Sequence, residues 1–167
     1  MGTSFLQDEQ NIFHPVYIQH SIIVLNQQTN DTFIEFSVHR LSNENMIGWA
    51  QVAHMTDLEF SLEWIENFSS QQGGKLKKIA VLLNQVIHQY LLSEIGKNYK
   101  LTLGAIRGAA SYHYRSGFLT NDEKTDAYLN RCMSGQVLDK EVHGKMILSI
   151  EGRRFWQQEV LKHSINF

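Results

Sequence analysis

Cysteine and proline are almost absent from this sequence, which has 167 residues but only one of each, Cys132 and Pro15. A lone cysteine excludes an internal disulfide bond and is typical of proteins from a reducing compartment, so we expect a cytoplasmic protein. No linker or low-complexity tract divides the chain, and its length is that of one domain with a substantial core. The sequence therefore predicts a single domain over residues 1–167.

Long apolar runs and an excess of charge are also missing. No apolar stretch approaches the ~20 residues that a membrane-spanning helix needs, so no membrane segment is expected. The net charge of −2 provides no overall attraction to nucleic acid or to an anionic membrane, and neither is an expected partner. The eight histidines lack the H-x-x-x-H spacing of metal sites, and no metal is expected.

What is present is a β-rich first part followed by mixed structure. Apolar and β-branched residues alternate over short stretches bounded by turn residues, which predicts strands over residues 16–25, 32–41, 46–55, 58–68, 100–106 and 142–150. Helical periodicity predicts helices over residues 76–95, 108–116, 122–133 and 153–163, with Gly96 as the C-cap of the first. The order strand, Gly-rich turn, helix, strand between residues 58 and 106 predicts a βαβ unit with parallel strands.

The strand predicted over residues 58–68 contains a slip in its alternation. Leu58, Phe60, Leu62 and Trp64 share one face, but Ile65 follows Trp64 directly, so two apolar residues stand in succession. A slip of this kind predicts a β-bulge or a kink, while a strand at the edge of the core gives the same pattern.

Two adjacent glycines, Gly73 and Gly74, precede the longest predicted helix. Glycine lets the backbone approach a partner closely, and a helix N-terminus offers unpaired N–H groups and partial positive charge to an anion. Lys75, Lys77 and Lys78 add charge that fits a ligand with several phosphates, whereas a plain turn with solvated lysines is the alternative. The spacing matches neither a P-loop nor a dinucleotide-binding fingerprint.

The pattern Gln71-x-x-Gly74-x-Leu76, followed later by SYHYRSGF at residues 111–118, resembles the GNAT superfamily of acyl-CoA-dependent N-acyltransferases. The resemblance implies an α/β (α+β) fold with a mixed, mostly antiparallel sheet, flanking helices and one central βαβ unit. It implies acetyl-CoA or another acyl-CoA as cosubstrate, with its pyrophosphate on the loop amides. The pantetheine arm would lie between the two parallel strands, which splay apart in this family.

This sequence departs from the family pattern at three places. Leu76 stands where the family has glycine or alanine, and His113 stands where it commonly has tyrosine. The family's asparagine after the second parallel strand is absent, and Arg107 lies nearby. The residues that the resemblance places at the coenzyme are Ile65, Glu66, Asn67, Gln71, Gln72, Gly73, Gly74, Lys75, Leu76, Lys77 and Arg107.

Acyl transfer from a thioester to an amine needs a base for the amine, an acid for the leaving thiolate and stabilisation of the oxyanion. Glu63 and Glu66 lie nearest the slip and are the predicted bases, although acids on a strand face are often simply solvated. Tyr112, His113 and Tyr114 are the candidate acids, and on a helix only one of them can face the sulfur. Alignment with the family selects His113, chemistry alone permits either tyrosine, and a shift of the helix by one residue selects Tyr114. An aromatic pair that only packs is the alternative. Backbone N–H groups near residues 65–67 are expected to contact the oxyanion.

The sequence thus predicts an acetyltransferase that moves an acetyl or other short acyl group from coenzyme A to a primary amine by direct attack. The alternative is a catalytically inactive module of the same fold that binds acyl-CoA or a protein partner. The expected partners are a coenzyme A thioester and an amine acceptor, either a small molecule or a protein. An oligomer is possible.

Overall fold

The computed structural model describes residues 2–26, 31–68, 76, 78–105, 109–135 and 142–162. The strands in these residues are β1 (Gly2–Gln7), β2 (Phe13–Asn26), β3 (Asp31–Arg40), β4 (Met46–Thr56), β5 (Glu59–Asn67), β6 (Lys100–Ala105), β7 (Phe118–Leu119) and β8 (Gly144–Leu148). The helices are α1 (Ile79–Glu94), α2 (Ala110–Arg115), α3 (Glu123–Met133) and α4 (Ile150–Lys162). None of these helices is long and apolar enough to cross a membrane.

The strands form one eight-stranded sheet in the order β1-β2-β3-β4-β5-β6-β8-β7. Strands β5 and β6 are parallel and are connected through α1, while the other neighbouring pairs are antiparallel. The predicted βαβ unit and the mixed, mostly antiparallel sheet are therefore confirmed.

Helix α1 covers one face of the sheet, which we call the inner face. It packs on β3, β4 and β5, and α4 packs on α1 in turn. The helix lies close to the sheet, because a Cβ atom added to Gly48 of β4 would fall 2.4 Å from Cγ2 of Ile79. The predicted apolar stripe of α1 is buried here and includes Ile79, Leu83, Val86, Ile87 and Leu91.

Helix α1 begins later than its periodicity predicts. Lys78 has φ 63° and ψ 20°, a left-handed conformation that cannot continue a right-handed helix, so the helix begins at Ile79. Leu76, which fits the helical stripe in the sequence, is instead a buried residue that forms an isolated β-bridge with Asp8. Gly96 follows the helix with φ 92°, and its N–H donates to the carbonyl of Leu91, as expected for the predicted glycine at this end.

Strand β1 is absent from the sequence prediction. It is an edge strand that pairs with β2 alone, and Gly2 and Leu6 are its buried residues. Phe5, on the opposite side, is 65% exposed. With glycine inside and phenylalanine outside, the strand lacks the apolar alternation that identifies a half-buried strand.

The start of α4 is fixed against the turn that follows α2. Ser149 Oγ accepts a hydrogen bond from the N–H of Gly152 at 2.9 Å and caps the helix, while the N–H of Ser149 donates to the carbonyl of Gly117 at 2.9 Å. The two glycines are in backbone contact, because a Cβ atom on Gly152 would lie 2.5 Å from the carbonyl oxygen of Gly117. Trp156 Nε1 also donates to the carbonyl of Ser116 at 2.8 Å. These contacts hold the end of α2 beside the sheet.

Candidate active site at the gap between two parallel strands

The two parallel strands separate halfway along β5. Their pairing runs from Glu59 opposite Lys100 to Leu62 opposite Leu103, whereas β5 continues to Asn67 along β4 and has no further strand partner among the described residues. The divergence that the family resemblance implies is therefore present between these strands.

The divergence coincides with a β-bulge. In the pairing of β5 with β4, Leu62 lies opposite Val52 and Trp64 lies opposite Gln51, so Glu63 is the extra residue. The bulge predicted from the slip in alternation is observed just before Ile65. It moves Ile65 onto the inner face and turns Trp64 and Glu66 to the other face, because side chains alternate along a strand.

A cavity of about 550 Å³ occupies the gap, and we call it the gap cavity. Residues from Leu62 to Asn67 of β5 form one wall, and Leu103 and Gly104 of β6 form another. Helices α1 and α2 contribute Ala80, Tyr112 and His113. Five residues that the sequence analysis selects thus share this space: Glu63, Ile65, Glu66, Asn67 and His113.

The other selected residues divide into three groups. Tyr114 does not line the gap cavity, since its partly buried ring packs against the hydrophobic core. Leu76 is only 1% exposed, so its side chain belongs to the core. The remaining predicted coenzyme contacts lie outside the described residues; they are Gln71, Gln72, Gly73, Gly74, Lys75, Lys77 and Arg107.

The carboxylates on β5 are open to solvent. Glu63 and Glu66 are both exposed, and Glu66 Oε2 accepts a hydrogen bond from Nε1 of Trp64 at 2.9 Å. This bond fixes one carboxylate beside an indole ring that is 54% exposed. An exposed carboxylate at the edge of the cavity can accept a proton from a group entering it.

His113 lies on the opposite side of the gap cavity, on α2. It is only 7% exposed, with its ring edge-on to Tyr112 and Phe118 at centroid distances of 5.4 and 6.1 Å. Burial lowers the pKa of His113 to about 4, because a charged imidazolium loses its hydration there. The ring is therefore neutral at physiological pH and does not supply the proton of an imidazolium.

Tyr112 also lines the gap cavity, and α1 holds its phenol group in place. Asn84 is fully buried, and its Nδ2 donates to the carbonyl of Ala80 at 2.9 Å and to the phenol oxygen of Tyr112 at 3.1 Å. Burial raises the pKa of Tyr112, so the phenol keeps its proton at neutral pH. The sequence analysis did not select Asn84. The signal that could have found it is a single asparagine within the apolar segment of the predicted helix.

The start of α1 opens towards the same space. Its first turn contains no acidic residue, no side chain of the described residues caps it, and Ala80 of that turn lines the gap cavity. The exposed side chain of Lys78 adds positive charge to the N–H groups that any helix N-terminus leaves without a partner inside the helix. This helix end can therefore accept an anion. The described residues contain no group of three or more His, Cys, Asp or Glu side chains that could hold a metal ion.

A second histidine is buried deeper in the core. His88 is fully buried, with Nδ1 2.7 Å from the phenol oxygen of Tyr99 and its ring stacked on Trp156 at 5.0 Å. Burial lowers its pKa from the ordinary value of 6.5 to about 3. Both His88 and His113 are therefore neutral in the folded chain over a range in which the unfolded chain is protonated.

We expect the free energy of unfolding to decrease as the pH falls below 6.5. In that range the unfolded chain binds protons at both rings, whereas the folded chain does not until about pH 4 at His113 and about pH 3 at His88. In this range each ring changes the free energy of unfolding by about 1.4 kcal/mol per pH unit. Well above the pKa of histidine in the unfolded chain, neither ring changes it. Denaturant titrations between neutral pH and about pH 5 measure the slope.

The variant His88→Gln should remove about half of this slope, with exposed His143→Gln as its control. Stability that stays constant down to about pH 5 would contradict the burial of the two uncharged rings.

No family model matches the sequence, and no curated protein sequence matches it. Solved structures match its fold. The apo structure of FdhC, a nucleotide-linked sugar GNAT, superposes with a TM-score of 0.51 at 15% identity, over 78% of this chain and 62% of that chain. A chain of the KacTA–DNA complex superposes with a TM-score of 0.52 at 9% identity, over 86% of this chain and 99% of that chain. A GNAT family acetyltransferase from Elizabethkingia anophelis with acetyl-CoA bound superposes with a TM-score of 0.49 at 12% identity, over 80% of this chain and 97% of that chain.

The chain therefore has the fold of the GNAT superfamily, as the resemblance of its motifs predicts. It spans 62% of the length of the FdhC chain. At 15% identity the likeness concerns the fold alone, so activity and substrate have to be argued from the residues of the site.

Proposed function

We propose that this chain is an N-acetyltransferase that transfers an acetyl or other short acyl group from coenzyme A to a primary amine by direct attack. The observation that carries the proposal is the gap cavity. Within a GNAT fold, at the point where β5 leaves β6, it brings a protonated phenol, Tyr112, into the same space as two solvent-accessible carboxylates, Glu63 and Glu66.

The coenzyme is proposed to lie with its pyrophosphate at the start of α1 and its thioester in the gap between β5 and β6. The acid-free first turn of α1 and the exposed Lys78 suit the pyrophosphate. The gap is open to a pantetheine arm because β5 beyond Leu62 has no partner in the described part of β6. The arm can add to that edge through backbone groups of β5 that do not pair with β6.

In the proposed reaction, Glu66 or Glu63 accepts a proton from the ammonium group of the acceptor, and the free amine attacks the carbonyl carbon of the thioester. Backbone N–H groups of β5 beyond Leu62 stabilise the oxyanion, since strand pairing with β6 has ended there. The carbon–sulfur bond then breaks, and Tyr112 donates its proton to the departing thiolate. The attacking nitrogen, which still carries its extra proton, passes it to the Tyr112 phenolate, so the products are the neutral amide and the free thiol, and the phenol is restored. The neutral ring of His113 packs behind Tyr112 and shapes the cavity wall.

Coenzyme binding and turnover are tested separately. We expect coenzyme A and acetyl-CoA to raise the melting temperature, and Gly74→Glu to abolish the shift because a carboxylate would meet the pyrophosphate, whereas Gly74→Ala serves as the milder control. Release of the coenzyme thiol in the presence of amines then measures transfer. A shift that survives Gly74→Glu unchanged would contradict the assignment of the loop. A shift without thiol release under any acceptor would identify a binding module instead.

A further inference from the structure

Strands β2 to β5 have a second face, turned away from α1, that no helix of the described residues covers; we call it the open face. The strand register places its side chains in two rows across the sheet. The first row is Gln19, Ser37, Trp49 and Glu66, and the second row is Ser21, Glu35, Gln51 and Trp64.

The open face adjoins the gap cavity along β5. A groove of about 680 Å³ on it is lined by Gln19, Glu35, Ser37 and Trp49, whereas Glu66 and Trp64 line the gap cavity. Trp49 lies directly opposite Glu66, and Cβ atoms of such pairs are about 5 Å apart. A ligand in the groove therefore reaches the proposed site of acyl transfer.

Both charged side chains in the two rows are carboxylates; an indole holds that of Glu66, and a side-chain amide holds that of Glu35. Trp64 Nε1 donates to Glu66 at 2.9 Å, and Gln51 Nε2 donates to Glu35 at 3.2 Å. The faces of tryptophan rings attract cations, as the carboxylates do. Lys145 lies farther along the sheet, opposite Gly104 in the pairing of β8 with β6.

The two carboxylates are spaced for two positive charges. Glu35 is on β3 and Glu66 is on β5, so the width of β4 separates them, and they lie in different rows, two residues apart along the strands, which places them about 12 Å apart. A ligand with one ammonium group can meet only one of them. A ligand with phosphate groups would be repelled by both.

We propose that the acceptor is a linear aliphatic amine with at least two positive charges, a diamine or polyamine that lies across the open face. Its reacting nitrogen lies beside Glu66 and Trp64 at the gap cavity, and its distal ammonium group lies beside Glu35 and Trp49. This inference rests on the proposed acyl transfer and names the class of amine that takes part in it.

Matched amines test the proposal. Diaminooctane and octylamine have the same length, but only the first has a second charge, so kcat/KM with acetyl-CoA should be at least about tenfold higher for diaminooctane. The variant Glu35→Gln should raise KM for diaminooctane by about tenfold, leave kcat unchanged and have no effect on octylamine. Glu94→Gln, at an exposed glutamate near the end of α1, is the control and should change neither amine.

Three results would overturn the proposal: equal use of the two amines, an unchanged KM in Glu35→Gln, or preference for a peptide lysine or a nucleotide-linked amino sugar. If coenzyme A binds but no amine causes release of the coenzyme thiol, the proposed function fails. Calorimetry with diaminooctane still tests the open face in that case, because it measures binding without turnover. Binding of diaminooctane that weakens about tenfold in Glu35→Gln supports the diamine site, and no measurable binding rejects it.

Discussion

Tyr112→Phe should lower kcat for acetyl transfer by a factor of about 10² to 10³, while the thermal shift with coenzyme A remains unchanged. The substitution removes only the hydroxyl group, which is the proposed proton donor to the thiolate, and leaves a ring that fills the same place. The hydrogen bond from Asn84 holds the hydroxyl group of Tyr112 in one position. Because the proton donor is positioned in this way, its removal should cost most of its contribution to kcat.

Tyr114→Phe is the matched control, because Tyr114 is on the same short helix but packs against the core and not in the gap cavity. We expect its kcat to stay within about twofold of the unmodified chain. The pH dependence gives a second readout: burial raises the pKa of Tyr112 above the ordinary 10.0, so kcat should decline only above that pH and the decline should be absent in Tyr112→Phe. A large loss in Tyr114→Phe with a small one in Tyr112→Phe would contradict the assignment.

Gly152→Ala should destabilise the chain by about 3 kcal/mol, although alanine normally stabilises a helix relative to glycine by about 1 kcal/mol. The new Cβ would lie 2.5 Å from the carbonyl oxygen and 2.7 Å from the Cα of Gly117, and both of these are backbone atoms that cannot rotate away. Gly117 itself has φ +90°, so the turn is already restricted. Helix α4 must therefore move off the end of α2.

Thermal unfolding measures the effect as a decrease in Tm of roughly 6–12 °C. Gly104→Ala is the comparison for folding, since a Cβ at that position meets nothing within 4 Å. We expect it to leave Tm nearly unchanged. A Gly152→Ala variant as stable as the unmodified chain would show that the contact between the two glycines is not close in solution.

The residues of the site that lie on β5 could be predicted from the sequence. Alternation identifies the strand, and the slip beside Ile65 identifies the bulge, so Glu63, Glu66 and Asn67 are assigned to the gap by their positions in the strand. A strand has only two faces, and a single extra residue determines which side chains change face.

The phase of helix α2 could not be predicted in this way. Its sequence presents Tyr112, His113 and Tyr114 in succession, and six residues of helix contain no apolar stripe that would fix its rotation. The contacts made by other elements decide it. Asn84 of α1 binds the phenol of Tyr112, and Phe118 packs against His113, so these two side chains line the gap cavity while Tyr114 packs against the core.

By itself the sequence determined the order of the elements other than β1 and β7, the parallel unit around α1 and the bulge, because each depends on local periodicity along one segment. The tertiary structure alone decided which side chains of α2 line the gap cavity, where the buried amide of Asn84 lies and why two glycines, Gly117 and Gly152, meet. These features are contacts between segments distant in the chain, and hydrophobic periodicity identifies a buried face without identifying the residue that will lie against it.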